Sequence, residues 1–98
     1  MVVGVLEVTL SIPGAFSLKE KRKVVRSLIE RTRNKFNASV AEVGDNDIHN
    51  RARIGVSVVA NDHAFANSML DKVLDALEDM AIGRADVLDT KLEIMTVS

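Results

Sequence analysis

The stretch VVGVLEVTLSI (residues 2–12), followed at once by PGAFSLKE (residues 13–20), decides the fold. Val2, Leu6, Val8, Leu10 and Ile12 fall on one side of a period-two pattern, and Val3, Val5, Glu7, Thr9 and Ser11 on the other. That alternation predicts a strand with one strongly apolar face. Pro13-Gly14 ends it, because Pro cannot donate to a ladder and Gly permits a turn. Ser17 and Glu20 then form a capping box, the side-chain signature of a helix start.

Working outward, Leu18, Val25, Leu28, Ile29, Thr32 and Phe36 share one narrow sector of a helical wheel. They predict the buried face of a helix running to about Phe36, with Asn37 as its C-terminal cap. A second strand is expected over about Ala38 to Val43, and Gly44-Asp45-Asn46-Asp47 is turn chemistry. The third strand is expected over Arg51 to Ala60, with Ile54, Val56, Val58 and Ala60 facing inward. Asn61 or Asp62 caps a second helix, whose inner face carries Ala66, Met69, Leu70, Val73, Ala76, Leu77 and Met80. Gly83 closes that region. A last strand, about Asp86 to Val97, alternates Leu88, Thr90, Leu92 and Ile94 against Asp89, Lys91, Glu93 and Met95. The order is βαββαβ, an α+β, ferredoxin-like arrangement expected as a single domain over residues 1–98. Right-handed crossovers put both helices on one face of a four-stranded antiparallel sheet.

The outer strand faces carry Glu7, Arg53, Lys91 and Glu93, so the second face of the sheet is expected to be open. It is not wholly polar. Val3, Val5, Val59 and Met95, with Val97 beyond them, can make an apolar patch there. Such a patch fits either scattered exposed aliphatics or the surface of a homodimer or partner.

Composition narrows the chemistry. The chain has no Cys, which excludes disulfides, thiolate metal sites and cysteine nucleophiles. It has no Trp or Tyr and three Phe, which leaves little for aromatic base stacking. The longest uncharged stretch, Val8 to Leu18, is far short of the roughly 20 residues that span a bilayer. The N-terminus lacks the basic region of a signal peptide. No membrane association and a cytoplasmic location are the expectations.

The net charge of −1 conceals a strong asymmetry. Between Ser17 and Asn37, the bases Lys19, Lys21, Arg22, Lys23, Arg26, Arg31, Arg33 and Lys35 face only Glu20 and Glu30, a local charge of +6. Between Asp62 and Met80, the acids Asp62, Asp71, Asp75, Glu78 and Asp79 face only Lys72, a local charge of −4. On the first helix, Lys19, Arg22, Lys23, Arg26 and Arg33 are the candidate nucleic-acid contacts, a stripe flanking the core face that suits a phosphate backbone. The same stripe fits a solvated helix face in which Glu30 pairs Arg26 and Arg33. It also fits attraction between unlike-charged helices or a partner subunit.

Other chemistry finds little support. RNA-recognition domains of this fold stack bases on aromatics of the central strands. Here those positions read Glu7, Thr9, Arg53, Gly55 and Ser57. Asp45, Asp47 and His49 share a turn, but Asn50 and Val56 stand where a calcium loop needs Gly and Glu. His63 sits at a helix start, where the dipole disfavours imidazolium. No nucleophile triad or phosphate-binding glycine loop appears, so neither catalytic residues, nor a cofactor, nor a metal is expected.

The chain resembles the YlxP-like bacterial family, classed as a domain of unknown function. The resemblance rests on Ile12-Pro13, Ser17 to Arg22, Lys35 to Val43, Ala52 to Gly55 and Asn61-Asp62. It implies a ferredoxin-like fold and, because such genes often neighbour those of translation initiation and ribosome-maturation factors, a role near the ribosome. It supplies no catalytic residues. The family usually has a Trp near the second turn, where this chain reads Asp47-Ile48-His49-Asn50. Two functional expectations therefore stand: a non-enzymatic ribosome- or RNA-associated protein using the first helix, and a homodimeric interaction module.

Overall fold

The computed structural model describes residues 1–98. The elements run β1 (Val2–Ser11), α1 (Leu18–Lys35), β2 (Ser39–Gly44), β3 (Arg51–Ala60), α2 (His63–Ala81) and β4 (Asp86–Thr96). All strand pairs are antiparallel, and the sheet order is β2-β3-β1-β4. This is the ferredoxin-like topology, with the two longest-paired strands, β1 and β3, at the centre.

The period-two pattern of β1 translates directly into burial. Val2, Leu6, Val8 and Leu10 are buried and alternate with half-buried partners. They pair with Val58, Val56, Ile54 and Ala52 of β3, also buried, or sit one register step from them. Leu70 and Ala66 of α2 close on this face over Gly4, and Lys21 of α1 reaches Glu42 in the same face of β2. Both helices therefore cover one side of the sheet. Each fully buried Leu, Ile or Val contributes roughly 1.5–3 kcal/mol of transfer free energy, so this single contiguous core holds the fold.

The helix starts follow their sequence signals. Ser17 caps α1, its Oγ accepting from the Glu20 N–H at 3.2 Å, and Asp62 caps α2, accepting from the Phe65 N–H at 2.9 Å. The end of α1 differs from expectation. Phe36, not Asn37, is the cap: it turns extended, donates its N–H to the Thr32 carbonyl, and packs its ring against the core edge.

Two bulges also depart from simple alternation. In β4, Thr9 pairs with Asp89 but Leu10 pairs with Val87, so Leu88 is the extra residue. Val87 takes the inward place expected of Leu88, which stands 53% exposed. In β2, Glu42 pairs with Ile54 but Gly44 with Arg53, which leaves Val43 unpaired on the open face. A bulge costs one ladder position and re-aims its neighbours. No helix of the chain is long and apolar enough to cross a membrane.

Candidate functional site

The first charge to place is Lys21, counted above among the bases of the +6 segment. It is fully buried. Its Nζ lies 2.9 Å from Glu42 Oε2 and donates to the carbonyls of Asp45 at 2.6 Å and Asn46 at 3.3 Å. Two backbone carbonyls and one carboxylate thus hold the ammonium. The signal was present in the spacing: Lys21, Val25, Leu28 and Thr32 follow the core repeat, and all four are buried. Asp45 adopts a left-handed backbone (φ 57°), tolerable for Asp, and its carboxylate meets Arg53 Nε at 3.3 Å. Arg53 also reaches Glu7 at 3.6 Å. The β2–β3 turn is therefore gripped from both sides of the sheet.

Without Lys21, the basic surface of α1 is smaller and cleaner. Lys19, Arg22, Lys23 and Arg26 are exposed, and none makes a hydrogen bond or ion pair within the chain. At about 100° per residue Arg22 flanks the Lys21–Val25–Leu28–Thr32 line, Arg26 lies further round, and Lys19 and Lys23 lie opposite it. Arg33 behaves differently: its Nη2 donates to the Val40 carbonyl at 2.6 Å and braces the edge strand β2. Arg31 and Lys35 line a groove with Asp79 between the helices, yet no ion pair joins α1 to α2.

Phe16 is a surface feature that sequence reasoning missed. It is 81% exposed, immediately before the α1 cap. An apolar residue at that place normally packs against the fourth residue of the helix. That residue is Lys21, already committed elsewhere, so Phe16 has no staple partner.

On the open sheet face, the register sets Val59, Val3 and Met95 in one row, with Ser57, Val5 and Glu93 in the next. The four residues expected to form an apolar patch are therefore contiguous. Val59 is 66% and Met95 38% exposed. The following rows, Gly55–Glu7–Lys91 and Arg53–Thr9–Asp89, are polar. A shallow groove of about 780 Å³ runs beside them, with Val43 lying over Gly55 at its β2 side. No His, Asp and Glu side chains gather in a group of three that would hold a metal. The Asp45-Asn46-Asp47 turn spends its buried carboxylate on Arg53, and His63 Nε2 lies 2.7 Å from Thr96 Oγ1.

The family model described as "Protein of unknown function (DUF503)" matches residues 3–92. The chain belongs to this family. The Bacillus subtilis (strain 168) protein named "Uncharacterized protein YlxP" is 36% identical over 72 residues, covering 74% of this chain and 78% of that protein. Among solved structures, a de novo designed protein with ferredoxin fold aligns with a TM-score of 0.60 at 16% identity, over 99% of this chain and 88% of that one. An antibiotic biosynthesis monooxygenase aligns with a TM-score of 0.53 at 14% identity, over 100% and 99%. At such identities these structures share the fold alone. Two of the segments on which the family resemblance rests, Ser17 to Arg22 and Lys35 to Val43, meet in the DUF503 chain through the Lys21–Glu42 pair.

Proposed function

We propose that this DUF503 protein is a non-catalytic, ribosome-associated module that docks on an RNA phosphate backbone through the exposed side of α1. The observation that carries the reading is the set of four cations, Lys19, Arg22, Lys23 and Arg26, that face solvent and have no partner within the chain. Lys19 lies in the first turn of α1, where its charge works against helix stability. Positive charge near a helix N-terminus opposes the macrodipole, at a cost of a few tenths of a kcal/mol each within the first turn. A polyanion gains from the clustered positive potential of all four. The non-catalytic reading is supported by the buried ionic groups, Lys21, Glu42 and Asp45, which are tied to one another and to Arg53 rather than poised over a cavity. Any base recognition is left to Phe16, since the open sheet face has no aromatic side chain.

Co-sedimentation with ribosomes over a salt series tests this. Four phosphate contacts give a log–log salt slope of roughly −3, or about a hundredfold weakening between 50 and 200 mM salt. Replacing Lys19, Arg22, Lys23 and Arg26 together with Ala is expected to abolish that slope while leaving the circular dichroism spectrum unchanged. A wild type that fails to sediment at the lowest salt, or a quadruple variant that still sediments like it, sinks the reading.

A further inference from the structure

We propose that two copies of this chain pair edge to edge through β4, about a two-fold axis at Leu92, to make one continuous eight-stranded sheet. The two edges of the sheet are built differently. β2 has 6 residues, carries the Val43 bulge, and has a carbonyl taken by Arg33. β4 has 11 residues, is exposed along most of its length, and contains neither Pro nor Gly. From Asp89 to Thr96 its register with β1 is unbroken. A long regular edge with nothing over it presents a row of unpaired backbone groups, the usual template for another strand.

The register can be worked out. The Val97 N–H donates to the Met1 carbonyl at 2.8 Å, which continues the Val2–Thr96 pairing by one step. In an antiparallel ladder, backbone groups alternate in direction residue by residue. Odd-numbered residues from Asp89 to Val97 therefore turn their N–H and C=O toward β1. Thr90, Leu92, Ile94 and Thr96 turn theirs outward, where nothing receives them.

Charge and the bulge together select one alignment. With Leu92 opposite its own copy, Lys91 of each chain stands opposite Glu93 of the other, twice, at the closely spaced non-hydrogen-bonded positions. Thr90 faces Ile94 as a hydrogen-bonded pair on each side of the axis. Centring on Lys91 or on Glu93 would set like charges face to face. Centring on Ile94 would set Lys91 against Val97 and match no charge, and centring on Thr90 would match Lys91 with Asp89 but run the ladder into the Leu88 bulge. The chosen alignment also stacks Leu92 on its copy. That side chain is 41% exposed on the helix side of β4, beyond the cover of α2.

Cysteine scanning tests the geometry, because the chain has no Cys and any disulfide must join two copies. Leu92→Cys puts two Cα atoms about 5.5 Å apart, within disulfide range, whereas Thr90→Cys leaves them about 14 Å apart. Mild oxidation is expected to cross-link the first and not the second. Light scattering across concentrations supplies the energetic arm. Lys91→Glu and Glu93→Lys should each weaken the dimer about tenfold or more, and the doubly exchanged chain should recover it. Val59→Lys, two strands from this edge, should leave the dimer intact. A wild type that stays monomeric at high concentration overturns the proposal, as does equal cross-linking of Thr90→Cys, failure of the double exchange to recover, or dissociation by Val59→Lys, which would place the contact on the open face.

Discussion

Lys21→Ala is expected to lower the unfolding free energy by roughly 3 kcal/mol, read as a shift in urea midpoint at unchanged slope. Breaking a buried pair by removing one partner typically costs about 3–5 kcal/mol, because the other charge is left uncompensated. Here the orphan is the Glu42 carboxylate, together with the Asp45 and Asn46 carbonyls that the ammonium also serves. Glu42 keeps 17% side-chain exposure, so water relieves part of the penalty and the lower end of the range applies. For a domain stable by about 5–15 kcal/mol, that is a large share of the total. Lys21→Met restores volume but not charge and should retain most of the loss. Adding Glu42→Leu should return much of it, since well-packed apolar replacements of buried pairs are often neutral. A midpoint barely moved by Lys21→Ala would mean that the ammonium is not what anchors the β2–β3 turn to α1.

Leu70→Ala is expected to cost about 3 kcal/mol as well, and part of that loss should be recoverable from the opposite element. Leu70 is fully buried over Gly4: a Cβ at residue 4 would lie 2.9 Å from Leu70 Cδ1, 3.2 Å from Val58 Cγ2 and 3.5 Å from Ala66 Cβ. Deleting the Leu70 side chain opens a cavity, and Leu→Ala changes in cores cost about 2–5 kcal/mol. Gly4→Ala alone overpacks the same spot and should destabilise by about 1 kcal/mol. In combination the new methyl enters the space Leu70 vacated, so the double variant should be more stable than the sum of the singles by about 1 kcal/mol. Val58 still crowds the site, which keeps recovery partial. Strict additivity in the cycle would show that Gly4 is not there to seat Leu70.

These two sites mark how far the sequence could be read. The strand β3 ends where its alternation says, at Arg51 and Ala60, and the Ser17 and Asp62 caps sit where expected. Those features are local: each depends on residues within a turn or a strand. By residue type Lys21 counts with the bases of the +6 segment, whereas by position it belongs to the core repeat. Its spacing with Val25, Leu28 and Thr32 pointed inward, but its partner Glu42 lies on another element and only the crossover brings them together. Leu88 was misplaced because a bulge is a property of two strands, invisible in one. The candidate surfaces show the same division. The row Val59–Val3–Met95 follows from alternation plus strand order, and is contiguous as expected. Which bases of α1 stay free did not follow, because withdrawing Lys21 and Arg33 required knowing what β2 offers them.

The guanidinium of Arg33 on the Val40 carbonyl has a consequence for assembly size. A sheet with two open edges can be extended at both, and strand addition then has no natural stop. With Arg33 on the Val40 carbonyl of one edge and that edge kinked at Val43, the proposed pairing would leave the protein a valence of one. In that pairing the remaining edge would be consumed in both copies, and growth would end at a pair instead of a fibre. Arg33, a candidate contact for something outside the chain, would then act as the terminator of the sheet.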